Sequence, residues 1–374
     1  MSTINDVAKL AGVSAMTVSR VINNSGYIGR ETRSRVEAAI AELAYVPNAV
    51  GRQLRSKRTN MLALVLSDIM SPFFTTIARG VEDVARAQGF SVMFCNTDES
   101  EAEEARYLLM LVQRQVDGVL LVPASTSGKS LRLLSSHHMP VVVLDRRIQS
   151  RQIDSVRSDS EAGAYTLTQH LIGLGHRRIA VLTGRRSVST SIDRVAGYCR
   201  AMLDAGLELD DGLVRYGEYN YGEYNQVDGN RMAQEVLAAD PRPTAIFAAN
   251  NFIAFGAMRS LRDAGLRVPE DISIVAFDDL PAAWLSDPYL TVVDQPAYEI
   301  GRRGAELLLS RVDGTVSGPG REVVLPSALI TRRSSGPPCT RSAETPEITP
   351  HLAASAGLPP GPAPSTLTAE RVSP

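Results

Sequence analysis

The 374-residue sequence has only three cysteines, no long apolar run and no leader pattern. Cys95, Cys199 and Cys339 show no Cys-x-x-Cys spacing, so we expect free thiols in a reducing compartment. No segment reaches the roughly 18 apolar residues of a membrane span. The first residues, MSTINDVAKL, lack the basic and apolar regions of a secretory signal. These absences favour a cytoplasmic protein without a membrane partner.

The sequence also lacks the short motifs of common enzymes. It has no Gly-x-Ser-x-Gly, no His-Glu-x-x-His and no P-loop. GLGH at residues 173–176 is not a dinucleotide fingerprint, because its glycines are expected to end a helix. The five histidines show no metal-ligand spacing: His137, His138, His170, His176 and His351. We therefore predict no catalytic activity, no cofactor and no metal site.

Charge is distributed unevenly, although the net charge is only −2. Residues 1–60 carry nine basic and four acidic side chains, a net charge of +5. The remaining 30 basic and 37 acidic side chains give −7. This distribution favours a protein whose N-terminal residues 1–60, called the head below, bind a polyanion while the acidic remainder does not. The alternative is an ordinary solvated basic surface.

The head is predicted to form three short helices. Thr3 can cap the first helix, and a glycine turn at Gly12 leads to Ser14, which can cap a second helix over residues 15–22. A third helix is predicted from about Thr32 to Leu43. Helix, glycine turn and helix form the helix-turn-helix arrangement, whose second helix enters the DNA major groove. An ordinary helical hairpin would also satisfy the apolar pattern.

The polar residues of the second helix favour DNA. Ser14 and the helix N-terminus can receive a phosphate. Thr17, Ser19 and Asn23 carry short hydrogen-bonding side chains that fit against backbone oxygens. Arg20 can reach the O6 and N7 atoms of guanine.

From Met61 onward, apolar runs alternate with amphipathic helices, and the alternation restarts after about Asp159. This pattern predicts two α/β lobes with parallel sheets, and a ligand in the cleft between them. The last 40 residues, from Ser335, hold nine prolines and no aromatic residue, so a disordered tail is predicted. YGEYN occurs twice in tandem over residues 216–225, either as a neutral loop insertion or as a functional gain of tyrosines.

The segment TINDVAKLAGVSAMTVSRVIN strongly resembles the headpiece of the LacI/GalR family of bacterial repressors. VPNAVGRQLRSKRTN resembles the hinge of that family, and SPFF, VLDRR, LGHRRIAVLTG, DRVAGY, GLRVPEDISIVAFDD and LTVVDQP resemble further signatures in the same order. The resemblance covers residues 2–334. It implies a headpiece over 1–46, a hinge over 47–59, a two-lobed core over 60–334 and a tail over 335–374. Lobe 1 would take residues 60–160 and 292–320, and lobe 2 would take 161–291 and 321–334.

The resemblance implies a homodimer that binds a pseudo-palindromic double-stranded operator. Bases would be read by Ala15, Met16 and Arg20, and Ala15 and Met16 can offer only apolar contact, for example to thymine methyl groups. Phosphates would be contacted by Ser14, Thr17, Ser19, Asn23 and Thr32, with Thr3 also placed at the DNA surface. In the hinge, Leu54 would insert into the minor groove beside Val50, with Arg55 near the backbone; the alternative is a core leucine.

For the small-molecule effector, the resemblance implies a site in the interlobe cleft. Phe73 and Phe74 would pack on a sugar face, or would simply be core residues. Asp145 and Arg146 would hold each other and bind sugar hydroxyls, or would form a surface ion pair. The other implied site residues are Ser71, Arg194, Tyr219, Asn250, Asp278 and Gln295.

Two departures from the family pattern leave the effector open. Ser71 and Asn251 stand where relatives commonly have asparagine and aspartate. A sugar is favoured, a sugar phosphate is possible and a purine remains open. The expected function is repression of carbohydrate-utilisation genes, with Trp284 at a dimer interface and no leucine heptads for a tetramer. A transport solute-binding protein, the main rival, would need a signal peptide and would not need residues 1–60.

Overall fold

A computed structural model of the chain describes residues 2–46, 58–148, 150, 152–218, 222–280 and 287–339, without the side chains of 222–225. Several predicted features lie outside the described residues: Val50, Leu54, Arg55, residues 219–221 of the YGEYN repeat with Tyr219, Trp284 and the chain from residue 340. Within the described residues, no helix combines the length and apolarity needed to cross a membrane.

The headpiece contains three helices, α1 (Ile4–Ala11), α2 (Ala15–Ile22) and α3 (Arg30–Glu42). Thr3 Oγ1 accepts a hydrogen bond from the Asp6 backbone N–H, while the Asp6 carboxylate accepts one from the Thr3 backbone N–H at 2.7 Å. This reciprocal capping box satisfies helix N–H groups that have no partner within the helix. The backbone hydrogen bond from Thr3 also holds the pKa of Asp6 below its usual value.

The third helix begins earlier than predicted. Helix α3 starts at Arg30 with Gly29 as its N-cap, so Thr32 lies inside the first turn. Val18 and Val21 are the buried side chains of α2, and the half-buried Ile22 packs against the same headpiece core.

The first lobe is built on a six-stranded sheet in the order β11-β5-β4-β3-β1-β2, with every neighbouring pair parallel. Its strands are β1 (Met61–Leu66), β2 (Ser91–Asn96), β3 (Gly118–Leu121), β4 (Val141–Leu144), β5 (Asp154–Ser158) and β11 (Glu322–Leu325). Its helices are α4 (Pro72–Ala87), α5 (Glu101–Gln113), α6 (Leu131–Ser136) and α11 (Ala297–Val312). Apolar side chains fill both faces of the sheet, as parallel sheets require.

The second lobe repeats this plan with the strand order β12-β10-β9-β8-β6-β7. Its strands are β6 (Ile179–Thr183), β7 (Val214–Tyr216), β8 (Ala245–Ala248), β9 (Ser273–Phe277), β10 (Thr291–Asp294) and β12 (Ala328–Ile330), of which β12 alone is antiparallel to its neighbour. Its helices are α7 (Ser160–Gly173), α8 (Ser189–Asp204), α9 (Gly222–Leu237) and α10 (Asn251–Asp263). The predicted fold class, two lobes of parallel α/β structure behind a helix-turn-helix headpiece, is confirmed.

The described chain passes between the lobes three times, at 158–160, 294–297 and 325–328. Two of the lobe assignments made from the sequence are wrong. Strand β10 pairs with β9 in the second lobe, although residues from 292 onward were assigned to the first. Strand β11 pairs with β5 in the first lobe, although residues 321–334 were assigned to the second. Short apolar runs indicate a strand, but they do not indicate which sheet it joins.

The C-terminal boundary of the core also differs from the prediction. Ser335 was expected to begin a disordered tail, but its Oγ lies 2.9 Å from His170 Nε2. The Gly336 backbone oxygen lies 2.9 Å from the buried His176 Nε2. Burial lowers the pKa of both histidines. Residues 335 and 336 are therefore fixed on the second lobe.

Candidate DNA-binding surface and effector cleft

Helix α2 uses its terminal polar side chains to stabilise its own ends. Ser14 Oγ accepts a hydrogen bond from the Thr17 backbone N–H at 3.2 Å, and the two hydroxyl oxygens lie 3.0 Å apart. At the other end, Asn23 Nδ2 donates to the Ser19 backbone oxygen at 2.8 Å. Ser14 and Asn23 remain exposed, so capping leaves them open to a phosphate.

The side chains expected to read bases share one exposed face of α2. Met16 is 66% exposed, and Arg20, one helical turn later, is also exposed, whereas Ala15 is half-buried. Thr32 is half-buried in the first turn of α3. Tyr27, between α2 and α3, is 96% exposed. Its exposure could not be predicted from the sequence, because one aromatic residue in a polar loop leaves no periodic signal.

A cavity lies between the two lobes, in a position where two-lobed α/β proteins bind small molecules. It is lined by Asp68, Ser71, Phe73, Phe74, Asp145, Arg146, Gly184, Val188, Thr190, Ser191, Arg194, Ala249, Asn250, Asn251, Phe252, Asp278 and Gln295. The structure thus brings together every predicted effector residue except Tyr219, which lies outside the described residues. Many of these residues follow the carboxyl ends of parallel strands, where α/β sheets bind ligands.

The two phenylalanines belong both to the cavity and to the core. Phe73 and Phe74 lie in the first turn of α4, with ring centroids 5.2 Å apart in an edge-to-face arrangement. Both pack into the core of the first lobe and retain less than a tenth of their surface exposed, and both line the cavity. Ser71, the N-cap of α4, makes no side-chain capping bond.

Two aspartates occupy equivalent positions in the two lobes. Asp145 directly follows β4 and Asp278 directly follows β9, and both have left-handed backbone conformations with φ of 64° and 68°. Few residues other than glycine adopt this conformation, although aspartate tolerates it better than most. Burial raises the pKa of Asp145 to about 6 and also raises that of Asp278. Gln295 Nε2, at the second crossover, donates to Asp278 Oδ1 at 2.5 Å.

Asp145 and Arg146 form the expected ion pair, but the hydrogen bonds of Arg146 go to Glu99, which was not predicted. The Arg146 guanidinium binds Glu99 through both Nη atoms, with Nη1 2.6 Å from Oε2, and Nη1 also donates to the Pro123 backbone oxygen at 2.7 Å. Nη2 lies 3.3 Å from Ser67 Oγ, whereas Nε approaches Asp145 Oδ2 only to 3.8 Å. The sequence did not reveal Glu99, because it is one of several acids in NTDESEAEE.

Arg194 and Asn250 belong to the second-lobe wall. Arg194, only 7% exposed, lies over the Phe277 ring at 4.0 Å and donates to the Ala249 backbone oxygen. Burial lowers its pKa. Asn250 caps α10, because its Oδ1 accepts a hydrogen bond from the Ile253 backbone N–H at 2.8 Å.

The cleft holds buried polar atoms that lack a hydrogen-bond partner among the described residues. They are Asp145 Oδ1, Arg146 Nε, Arg194 Nε and Asn251 Nδ2. Such atoms are costly unless a ligand or water satisfies them. Asp68, Thr190 and Ser191 also line the cavity and were missed, although their positions after β1 and at the start of α8 were the available signal. Among the described residues, no group of three or more potential ligands could hold a metal ion.

The fold and the cleft define a two-lobed small-molecule-binding core carried on the same chain as a helix-turn-helix headpiece. Residues 59–333 match the model for periplasmic binding proteins and the sugar-binding domain of the LacI family. Residues 3–48 match the model for bacterial regulatory proteins of the lacI family. The chain belongs to the LacI family, and it is a DNA-binding transcription regulator under effector control.

Individual relatives agree with this assignment. The chain is 36% identical over 315 residues to the transcriptional repressor PurR of Aliivibrio fischeri, covering 83% of this chain and 92% of that protein. It is 35% identical to the regulator CelR in its cellobiose complex, with a TM-score of 0.68 over 90% of this chain and 100% of that one. It is 29% identical to the lac repressor dimer bound to operator and the anti-inducer ONPF, with a TM-score of 0.77 over 90% and 99%.

Replacing Glu99 by glutamine should destabilise the first lobe strongly. The change leaves the buried Arg146 guanidinium without its counter-ion, and breaking a buried pair in this way costs about 3–5 kcal/mol. Urea unfolding measures the loss. Glu161→Gln, which removes one partner of the exposed pair with Arg200, is the control and should cost less than about 1 kcal/mol. Equal effects of the two substitutions would contradict the assigned role of Glu99.

Proposed function

We propose that this chain is a dimeric repressor of carbohydrate-utilisation genes whose effector is an uncharged sugar bound between the lobes. The observation that carries the proposal is the set of unsatisfied donors and acceptors beside the two phenylalanines. A sugar hydroxyl both donates and accepts, so one ligand can satisfy Asp145 Oδ1, Arg194 Nε and Asn251 Nδ2. The apolar face of the ring can pack on Phe73 or Phe74.

The charge of the cleft supports an uncharged ligand over a sugar phosphate. The wall carries three carboxylates, Asp68, Asp145 and Asp278, against two guanidinium groups. One of these, Arg146, is already neutralised by Glu99. A phosphate would add negative charge to a desolvated site with a net negative wall, which is unfavourable.

A purine is the second candidate effector, because several relatives are named PurR. A purine and a sugar require different protein groups in the cleft. A purine needs an aromatic face on which to stack and donors and acceptors in one plane. A sugar needs carboxylates and amides from several directions, which the two lobes supply through Asp145, Asp278 and Asn251.

On DNA, we propose that Arg20 supplies most of the hydrogen-bonded base recognition. Ala15 and Met16 would make apolar contacts with bases, and Ser14, Thr17, Ser19, Asn23 and Thr32 would contact phosphates. The hinge residues Val50, Leu54 and Arg55 would enter or flank the minor groove. The proposed partners are a second copy of the chain and a pseudo-palindromic operator. We place the protein in the cytoplasm and assign it no catalytic role.

A ligand screen tests the effector class. The full chain should gain thermal stability with one or more of D-ribose, D-glucose, D-fructose and cellobiose, but not with the matching sugar phosphates, hypoxanthine or guanine. A ligand at 100 times its Kd adds about 2.7 kcal/mol. Asp278→Asn should abolish the shift, and Asp263→Asn, in an exposed pair outside the cleft, should retain it. Stabilisation by a purine alone, or by none of the compounds, would contradict the proposal.

Effector affinity should fall in mild acid. The pKa of Asp145 is about 6, so its carboxylate is ionised at pH 7.5 and mostly protonated at pH 5.5. A hydroxyl that donates to this carboxylate loses its acceptor, so Kd should rise about fourfold between these pH values. Calorimetric titration measures the change, and Asp145→Asn should show a smaller change, since of the two aspartates only Asp278 then titrates in the cleft with a raised pKa. An affinity that rises in acid would show that the protonated carboxyl binds the effector.

Replacing Arg20 by alanine should lower the affinity for the operator while leaving the affinity for non-specific duplex DNA nearly unchanged. Loss of a bidentate contact to guanine costs about 1–3 kcal/mol at one base pair. Operators selected from random duplexes by the unmodified chain provide the probe, with a scrambled duplex as the control. Sugar binding should be unaffected. If operator and scrambled affinities fell equally, Arg20 would contact phosphates rather than bases.

A further inference from the structure

A second set of interlobe contacts surrounds Arg147, which does not line the effector cavity. Arg147 follows β4 in the first lobe, and its Nε donates to Asp193 Oδ2 at 3.0 Å while Nη2 donates to Asp193 Oδ1. Its backbone N–H donates to Ser189 Oγ at 2.9 Å. Ser189 and Asp193 lie one turn apart on α8 in the second lobe. One residue therefore binds one helix turn across the cleft through three hydrogen bonds.

We propose that Arg147 and Asp193 form a clasp that holds the lobes closed and positions the effector-binding turn of α8. The same turn carries Thr190, Ser191 and Arg194, which line the cavity. On the other side, Arg147 directly follows Asp145 and Arg146, which line the opposite wall. Opening the clasp therefore separates the two walls of the site.

The burial of the pair supports this role. The Asp193 side chain retains only 10% of its surface exposed, whereas that of Arg147 retains 48%. The carboxylate is thus held largely out of water in the second lobe and receives its bidentate partner from the first. The hydrogen bond with Asp193 raises the pKa of Arg147. Because a shielded carboxylate is costly unless it is hydrogen-bonded, the bidentate contact from Arg147 favours closure.

The neighbouring interlobe contacts are longer hydrogen bonds, and one of them can be used to detect separation of the lobes. The Thr126 backbone N–H donates to the Ser187 backbone oxygen at 3.3 Å, and Arg185 Nη1 lies 3.4 Å from the Glu99 backbone oxygen. Thr126 belongs to the first lobe and Ser187 to the second, so the Thr126 amide loses its acceptor when the lobes separate. Any effect on effector release rests on the proposed function, whereas the clasp itself does not.

Amide hydrogen exchange of the full chain, without effector, tests the clasp. Arg147→Glu and Asp193→Arg should each accelerate exchange at Thr126 about tenfold, which corresponds to about 1.4 kcal/mol. Combining both substitutions restores opposite charges and should return exchange to near the original rate. The Val122 amide, bonded to the Val65 backbone oxygen within the first lobe, should remain slow throughout. Arg200→Glu, in the exposed pair with Glu161 inside the second lobe, is the matched control and should leave Thr126 unchanged.

Three outcomes would overturn the clasp: unchanged exchange at Thr126 in both single reversals, acceleration that the double variant does not reverse, or equal acceleration by Arg200→Glu. If a charge-reversal variant does not fold, Arg147→Lys tests the clasp instead. Lysine keeps the charge but loses the bidentate fork, so exchange at Thr126 should rise about threefold. An unchanged rate in that variant would also overturn the proposal. None of these results depends on the identity of the effector, so they are distinct from a failure of the ligand screen.

Discussion

The guanidinium of Arg146 joins the loops that follow four neighbouring parallel strands, and the first-lobe wall of the cleft depends on it. Ser67 follows β1, Glu99 follows β2, Pro123 follows β3 and Arg146 itself follows β4, and all three partners accept hydrogen bonds from the one side chain. Parallel strands present their loops at a common edge, but nothing in the backbone ladder fixes the loops relative to one another. A buried cation with several acceptors does so, since each acceptor lost leaves charge without compensation.

The cleft is also connected to the point where the chain enters the core from the linker. Gln295, which binds Asp278, lies just before α11, and α11 crosses α4 so closely that a Cβ on Gly301 would lie 2.0 Å from the Ile77 oxygen. At the far end of α11, Arg58 donates to Asp313 Oδ1 at 2.8 Å and to the Val312 backbone oxygen at 3.0 Å. A packed helix thus runs from the cleft residue Gln295 to Arg58, the first described residue of the hinge. Helices in such close backbone contact pass a rigid displacement to one another more fully than helices separated by side chains.

Local features were predictable from the sequence because their causes are local. The caps at Thr3 and Ser14 fixed α1 and α2 to the residue, and the alternation of apolar runs with amphipathic helices predicted two parallel α/β lobes. The effector residues were placed by resemblance, and those within the described residues do converge on one cavity.

Apart from the start of α3, the errors concern partners that are distant along the chain. Glu99 and Arg146 are 47 residues apart, and β11 joins a strand more than 160 residues before it. An acid that pairs with a buried arginine has the same local sequence pattern as one exposed to solvent. A short strand likewise has the same pattern whichever sheet it completes. Such choices are settled by the packing of the whole chain, so the sequence predicts that a cleft exists but not how its charges are divided.

That division of charge bears on how an effector can act. A ligand changes the balance of two conformations only through its different affinity for them. Here the atoms without partners, Asp145 Oδ1 in one lobe and Asn251 Nδ2 in the other, can both be satisfied by one molecule that touches both walls. Arg147 and Asp193 bring these walls together, so closure and effector binding favour the same arrangement of α8. The free energy with which the effector can shift the balance is therefore the cost of leaving these polar atoms unsatisfied, because the effector removes that cost. This contribution is lost when the lobes open and water replaces the ligand.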